Sequence, residues 1–242
     1  MPLPSMTQPF EIIDDQPNFI VVNKPENINF HDEGELGHGF FNQVKHWLSK
    51  NNVASELYPV HRLDKMTSGL LIFAKNNDSA QAFQQLFQQH NVQKYYLALS
   101  DKKPKKKQGL IKGDMVKSRR STWKLLRSQH NPAISQFMSY NVGSGCRLYV
   151  VKPHSGKTHQ IRVALSSIGA PIMGDVLYTP NALQPALVDR GYLHAYALQF
   201  TLNHVLYEYI KVPNSGECFL SPELNQQLTN IGKPWLLPWP KV

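Results

Sequence analysis

The apolar run LLIFA at residues 70–74 constrains the fold of this chain most, because such a run bounded by turn residues is typical of a buried strand. Ser68-Gly69 supplies a turn directly before the run. Three polar or charged side chains, those of His61, Arg62 and Asp64, come just before that turn. The sequence therefore predicts ionisable groups at one end of a buried strand, where they are available for chemistry.

Strand patterns outnumber helix patterns along the rest of the chain. Strand composition or alternation is found at residues 19–25, 70–74, 94–100, 121–128, 133–141, 146–152, 192–200 and 205–212. Apolar residues at helical spacing predict helices at 40–52, 78–90 and 158–169, with Asp78 and Thr158 as the caps of the last two. Because the helices do not alternate regularly with the strands, we predict an α+β fold with a mixed, mainly antiparallel central sheet flanked by helices and loops.

The chain is predicted to form a single domain over residues 1–242. The only segment that resembles a linker is the lysine-rich loop at 101–109, whose lysines lie within 102–107, and strands on both sides of it favour one shared sheet. The tail at 213–242 has no clear periodicity. No internal repeat is found.

The charge balance favours an RNA or DNA partner. The chain has 26 Lys and Arg against 17 Asp and Glu, a formal charge of +9, and such a surplus favours nucleic acid over membrane. The N-terminus lacks a secretory signal, and no apolar run approaches the length of a membrane span. Cys146 and Cys218 have neither disulfide nor metal spacing, which fits a reducing compartment. These features predict a cytoplasmic protein.

The familiar nucleotide and metal motifs are absent, so we expect neither a cofactor nor a metal. Acid, base and cation groups remain in three segments: HRLDKMTSG at 61–69, QKYY at 93–96, and a longer polar segment at 152–175. In the last, Lys157 precedes a helix start, an arrangement that suits phosphate binding. Arg162 borders the apolar face of that helix and needs a carboxylate partner, for which Asp64 is the candidate.

These three segments resemble the motifs of the RluA-type pseudouridine synthases, which isomerise uridine in RNA. HRLDKMTSGLLIFAKN is similar to the central motif of the family, QKYYLAL to its Lys-x-Tyr segment, and SGKTHQIRVALSSIGAPIMGDVLY to its third motif. With VVNKP and YLHAYALQF, the resemblance covers about residues 11–212. It implies the catalytic fold of that family with a central cleft, and a chain without the separate N-terminal RNA-binding domain of many relatives.

The resemblance also implies the site residues. Asp64 corresponds to the essential aspartate, Tyr96 to the active-site tyrosine and Arg162 to the arginine of the third motif. Asp64 is expected to act as nucleophile or as a base on the sugar, after the target uridine has been flipped out of its stack. The RNA-binding residues are expected to be His61, Arg62, Lys157, Thr158, His159 and Gln160, with Arg119, Arg120 and the lysine loop adding attraction to the backbone.

Two alternatives stay open at the level of sequence. One is a catalytically idle RNA-binding protein on the same fold, and the other is a hydrolase that cleaves the N-glycosidic bond with the same carboxylate. The joint presence of Asp64, Tyr96 and Arg162 favours the synthase. The expected partner is a stem-loop of ribosomal or transfer RNA, and a monomer is the default oligomeric state.

Overall fold

The computed structural model describes residues 10–34, 36–51, 53, 56–119, 121–179 and 188–242. The strands are β1 (Glu11–Asp15), β2 (Phe19–Lys24), β3 (Tyr58–Pro59), β4 (Ser68–Ala74), β5 (Gln93–Ser100), β6 (Gln108–Gly113), β7 (Met115–Lys117), β8 (Trp123–Leu125), β9 (Ala133–Asn141), β10 (Arg147–Pro153), β11 (Leu193–Leu202) and β12 (Val205–Ile210). The helices are α1 (Phe40–Lys50), α2 (Asn77–Gln88), α3 (Gln160–Ser167) and α4 (Pro222–Ile231).

Ten of these strands form one sheet in the order β1-β2-β4-β11-β5-β10-β9-β6, with β12 added to β11 and β3 to β4. The pair of β4 and β11 is parallel, and the other pairs of this sheet are antiparallel. The short strands β7 and β8 pair separately. The predicted α+β fold with a mixed, mainly antiparallel sheet is confirmed.

The apolar run in β4 is continuous because both faces of this strand are covered. Leu71 and Phe73 pack on the side of helix α1, against Phe40 and its neighbours. Leu70 and Ile72 point the other way and pack with Phe83 of α2. Since successive side chains of a strand alternate between faces, a strand covered by a helix on each side needs apolar residues at every position.

The C-terminal tail contains an element that the sequence patterns did not predict. Residues Pro222–Ile231 form α4, and the side chain of Ser221 caps its start by accepting a hydrogen bond from the Leu224 amide. Leu224, Leu228 and Ile231 are buried at helical spacing in the core that β5, β10 and α3 share. The prolines and tryptophans around this segment obscure that spacing in the sequence. The tail is therefore part of the folded body that supports the strands of the cleft.

Two predicted helix caps are wrong. Helix α2 is capped by Asn76, whose side chain accepts from the Ser79 amide, and Asp78 lies within its first turn. Helix α3 begins after His159, which has a left-handed φ of 57° and no side-chain capping bond. Thr158 does not cap that helix because its hydroxyl accepts a hydrogen bond from Arg62 instead.

Gly69 fixes the distance between β4 and β11 at the point where the two strands run parallel. It pairs with Ala195 and has a φ of 110°, a conformation that glycine adopts readily. A Cβ at this position would lie 2.3 Å from the carbonyl oxygen and 2.7 Å from the nitrogen of Ala195. No larger residue fits unless the two strands separate.

We expect Gly69→Ala to lower the free energy of unfolding by about 2–5 kcal/mol, because the strain of a positive φ adds to an overpacked backbone contact. The matched control is Gly145→Ala, at a glycine with a φ of 74° where an added methyl group would have no neighbour within 4 Å. It should cost only about 1–2 kcal/mol from backbone strain. Urea unfolding measures both, and equal losses would contradict the role of the close approach.

Candidate active site

The three sequence-predicted segments meet in one cleft. A cavity of about 420 Å³ lies between the segment 60–67, strand β5 and the start of α3. An adjoining cavity of about 510 Å³ extends the cleft on the other side of Asp64. The two cavities share Arg62, Leu63, Asp64, Thr158, His159 and Arg162. The side chain of Asp64 therefore stands at the junction between them.

Asp64 sits in a tight turn with its carboxylate open to the cleft. The Thr67 amide donates to the Asp64 carbonyl at 3.0 Å and closes the turn. The Asp64 side chain is 25% exposed, and its Oδ2 accepts a hydrogen bond from Arg162 Nη1 at 3.4 Å. The predicted pairing of Arg162 with Asp64 is confirmed, and the carboxylate keeps enough exposure to meet a ligand.

Arg162 has a tighter partner that the sequence patterns did not identify. Its Nε and Nη2 donate to the two carboxylate oxygens of Asp175 at 2.7 and 2.8 Å. The guanidinium also lies over the Tyr178 ring, 5.0 Å from its centroid. Burial opposes the charge on Arg162, but Asp175 and then Asp64 outweigh it and raise the pKa of the guanidinium. Arg162 is thus a fixed cation that presents its remaining nitrogen to Asp64.

Lys24, at the end of β2, contacts the backbone of the Asp64 turn. It is completely buried, and its Nζ donates to the backbone carbonyls of Pro25, Asp64, Lys65 and Thr67 at 2.9, 3.4, 3.3 and 3.0 Å. Burial lowers the pKa of Lys24 to about 7, although the charges of Asp64 and Glu26 oppose the shift. A buried amine with four carbonyl acceptors ties the backbone of the Asp64 turn to the sheet.

Tyr96 lies on β5 between its partners Val151 and Ala195 and lines the main cavity. Burial, followed by the negative charge of Asp64, raises its pKa, so that Tyr96 carries its proton at neutral pH. The neighbouring Tyr95 is fully buried in the core, where its hydroxyl donates to Gln93. Of the two tyrosines, the one that the resemblance indicates is the one at the cavity.

His61 lines the cavity but is held by the sheet. Its Nε2 accepts a hydrogen bond from the Ile72 amide at 2.9 Å, and its ring lies 4.9 Å from the Phe87 ring. Burial, and then the charge of Lys94, lower the pKa of His61 to about 3. The imidazole is therefore neutral, and it pairs with a backbone amide of β4 at the wall of the cleft.

The other residues predicted to bind RNA surround the cleft opening. Arg62 is exposed, and its Nη2 donates to Thr158 Oγ1 at 3.1 Å across the cleft. Lys157 Nζ donates to the Asn131 carbonyl at 2.6 Å, and His159 Nδ1 lies 2.9 Å from the Tyr178 hydroxyl. Burial lowers the pKa of His159. These four predicted residues thus lie around one opening.

Gln160 differs from this set because its amide faces inward. Its Oε1 accepts from Ser155 Oγ and the Lys157 amide, and its Nε2 donates to the Ile134 carbonyl and Ser135 Oγ. These four bonds occupy the amide and hold the loop 154–159 against β9. Because Gln160 is only 5% exposed, the role of its side chain is to stabilise the conformation of the loop.

The described residues contain no group of three His, Cys, Asp or Glu side chains placed to hold a metal ion. None of the helices in the described part of the chain has the length and apolar composition needed to cross a membrane. The chemistry available in the cleft is that of a carboxylate, a fixed guanidinium, a phenol and surrounding cations.

Comparison with known proteins identifies relatives of this chain. A family model described as RNA pseudouridylate synthase matches residues 18–167. A Haemophilus influenzae protein named as an RNA pseudouridine synthase is 42% identical over 228 residues, which cover 93% of this chain and 98% of that protein. The ribosomal large subunit pseudouridine synthase C of Rickettsia bellii is 32% identical over 178 residues, covering 72% of this chain and 58% of that protein.

The fold is also found among solved structures. The human protein named RNA pseudouridylate synthase domain containing 1 superposes with a TM-score of 0.71 at 22% identity, covering 99% of this chain and 100% of that chain. At 22% identity the similarity shows that the two proteins share a fold. The catalytic fold that the sequence resemblance implied is confirmed.

His61, which is half-buried, and His194, which is buried, generate a prediction about stability and pH. The pKa values of His61 and His194 are lowered to about 3 by burial, against about 6.5 in an unfolded chain. Between these values the unfolded chain binds one more proton per histidine, so stability is fully present above the unfolded pKa and falls on acidification. Each histidine should contribute a slope that approaches about 1.4 kcal/mol per pH unit near pH 5 and falls to about half of that at pH 6.5.

Urea unfolding between pH 5 and pH 6.5, above the range in which most carboxylates titrate, measures this slope. We expect His61→Gln and His194→Gln each to reduce it by the contribution of one histidine, and the double variant to reduce it by that of two. A His61→Gln variant with the wild-type slope would show that the imidazole is not the neutral acceptor of the Ile72 amide.

Proposed function

Because this chain belongs to the RNA pseudouridylate synthase family, we propose that it isomerises one or a few uridines of a ribosomal or transfer RNA stem-loop, with Asp64 as the essential carboxylate. As a family member it is an isomerase that acts on RNA. The observation that carries the assignment to Asp64 is its partly exposed carboxylate at the junction of two cavities, held by the fixed Arg162.

The reaction requires the C1′–N1 bond to break, the uracil to turn over, and a C1′–C5 bond to form. N1 gains a proton and C5 loses one, so the RNA keeps its mass and no oxidant or group donor is consumed. Asp64 acts as an ionised carboxylate, by attack at C1′, by attack at the base, or by removal of a sugar proton. In each route the hydrogen bond from Arg162 orients the carboxylate and balances its charge.

Tyr96 is proposed to stack on the uracil and to assist the loss of the C5 proton. Its raised pKa keeps it a phenol, so its hydroxyl oxygen accepts the C5 proton only as it passes its own proton to another base. Asp64 lines the same cavity as Tyr96, and its carboxylate is the candidate acceptor. The phenol would then serve as a relay as well as a stacking surface.

The target uridine must leave its stack to reach the cavity. Arg62 is exposed at the opening and bonded to Thr158, which supports a role in filling the vacated position or in holding the phosphate of the flipped nucleotide. Lysines 102, 103 and 105–107 are exposed and add sequence-independent attraction to the RNA backbone. Arg119 is exposed as well, whereas Arg120 lies outside the described residues.

Asp64→Asn tests the proposal. We expect the variant to lose pseudouridine formation by more than about 10³-fold, as happens when a central catalytic group is removed, while RNA binding is retained. The assay is carbodiimide mapping of total RNA from cells that lack the gene, complemented with wild type or variant. Asp78→Asn, the same change at an exposed carboxylate of α2, is the matched control and should restore the modification.

Each outcome of this test distinguishes one alternative. Restoration by the Asp64 variant would refute its catalytic role. Binding by the wild type without any product would identify an RNA-binding protein that has no activity. Release of free uracil with a matching loss of RNA mass would identify a hydrolase.

Tyr96→Phe separates stacking from proton transfer. The ring remains, so we expect RNA affinity to stay within about twofold, whereas turnover should fall by about 10²–10⁴-fold, the range for loss of a positioned acid or base. RNA with deuterium at C5 of uridine should then show a larger isotope effect than with the wild type. Tyr140→Phe, on β9 away from both cavities, is the control, and wild-type turnover in Tyr96→Phe would contradict the relay.

A further inference from the structure

A further cavity opens beside the main one, and half of its lining residues are basic. It has a volume of about 230 Å³, and we call it the basic cavity. Its lining consists of Phe87, His90, Val92, Gln93, Lys94, Lys152, Pro153 and His154. Phe87, His90, Lys94 and Pro153 also line the main cavity, so the two spaces share a wall.

Four basic side chains face the basic cavity, and no carboxylate belongs to its lining. The polar partners of three of them are neutral. Lys94 Nζ donates to the Ser155 carbonyl at 3.3 Å, Lys152 Nζ donates to Gln93 Oε1 at 3.1 Å, and His154 Nε2 lies 2.6 Å from Gln136 Oε1. Among the described residues, none of these basic groups forms an ion pair.

The two lysines are stabilised partly by aromatic rings. Lys94 Nζ lies 5.8 Å from the centroid of the Phe87 ring, and Lys152 Nζ lies 5.4 Å from that of Tyr95. Such contacts offset part of the cost of a half-buried ammonium. They supply no negative charge, and both lysines line the basic cavity.

Burial leaves these groups poorly stabilised as cations. It lowers the pKa of Lys94 to about 8 and also lowers the pKa of Lys152. The pKa of His154 is lowered by burial and then by the charges of Lys152, His90 and Lys94. The negative charge of an anion in the cavity would offset both the cost of desolvation and the mutual repulsion.

We propose that the basic cavity binds a backbone phosphate of the RNA, next to the nucleotide that occupies the main cavity. A water takes up about 30 Å³ in the liquid. The cavity of about 230 Å³ therefore has room for a phosphate group together with part of its hydration shell. The shared wall places this phosphate close along the strand to the target uridine. The inference rests on the proposed function, because it takes the main cavity as the place of that uridine.

The contact carries no sequence information. Lysines and histidines on a phosphate fix the position and direction of a strand, while base edges specify its sequence. The basic cavity would therefore set the register of the RNA relative to Asp64, whichever uridine is modified. It is a positioning site and takes no part in bond breaking.

The test measures the binding of a short fluorescein-labelled oligouridylate by anisotropy over a series of salt concentrations. Loss of one phosphate contact should reduce the slope of log affinity against log salt by about 0.7, the value for single strands. We expect this reduction, together with weaker binding at low salt, in Lys152→Gln. Lys152→Arg should restore the slope, because a guanidinium also binds phosphate.

Lys50→Gln is the matched control, since it removes the same charge from an exposed position on α1 that lines neither space. A thermal unfolding scan in inorganic phosphate, against chloride at equal ionic strength, provides a second readout. Phosphate should raise the melting temperature of the wild type and of Lys50→Gln more than that of Lys152→Gln, and the scan also shows whether each variant is folded.

Equal salt slopes for Lys152→Gln and the wild type, or an equal response to phosphate, would overturn the inference. So would a Lys152→Arg variant that behaves like Lys152→Gln, since this would indicate a packing role. Failure of the proposed function looks different, because it appears as pseudouridine formed by Asp64→Asn, as RNA bound by the wild type without product, or as released uracil, whatever the binding data for Lys152. The two failures can therefore be told apart.

Discussion

The buried guanidinium of Arg162 organises the cleft because two carboxylates of different exposure share it. The Asp175 side chain is completely buried and accepts two of the hydrogen bonds, whereas the Asp64 side chain is a quarter exposed and accepts one. Taking such charges out of water costs several kcal/mol per ion, which only close partners repay. Asp175 provides that compensation, and this leaves Asp64 free to exchange part of its contact with Arg162 for a substrate.

A second buried basic side chain completes the arrangement by acting on the backbone. Lys24 binds the carbonyls of Asp64, Lys65 and Thr67, while Arg162 binds the carboxylate that the same turn presents. The turn is therefore held from β2 on one side and from α3 on the other. Because the close approach of Gly69 to Ala195 fixes the strand that follows the turn, the position of Asp64 depends on three separate parts of the chain.

Sequence patterns predicted these local features where a pattern repeats, and they missed the partners that only the fold brings together. The double-faced burial of β4 and the contact of Arg162 with Asp64 were predictable from periodicity and charge. The role of Asp175 was not predictable, although this residue lies in the segment 152–175. A buried arginine needs a carboxylate that accepts two of its hydrogen bonds, but the sequence does not show which carboxylate the fold brings to it. Lys24 was missed because a lysine at the end of a strand is usually exposed.

The cleft has one region in which charges are paired within the protein and another in which they are not, and the two regions suit different roles. Around Asp64 the charges are balanced within the protein, which suits a site where a carboxylate must keep a fixed orientation through a change of covalent bonds. Around Lys94 and Lys152 the charges lack a counter-ion in the described part of the chain, which suits a site that is completed only by its ligand. A polyanion satisfies the second site without disturbing the first. The surplus of +9 in this chain would then serve both general attraction to RNA and one defined contact that sets the register.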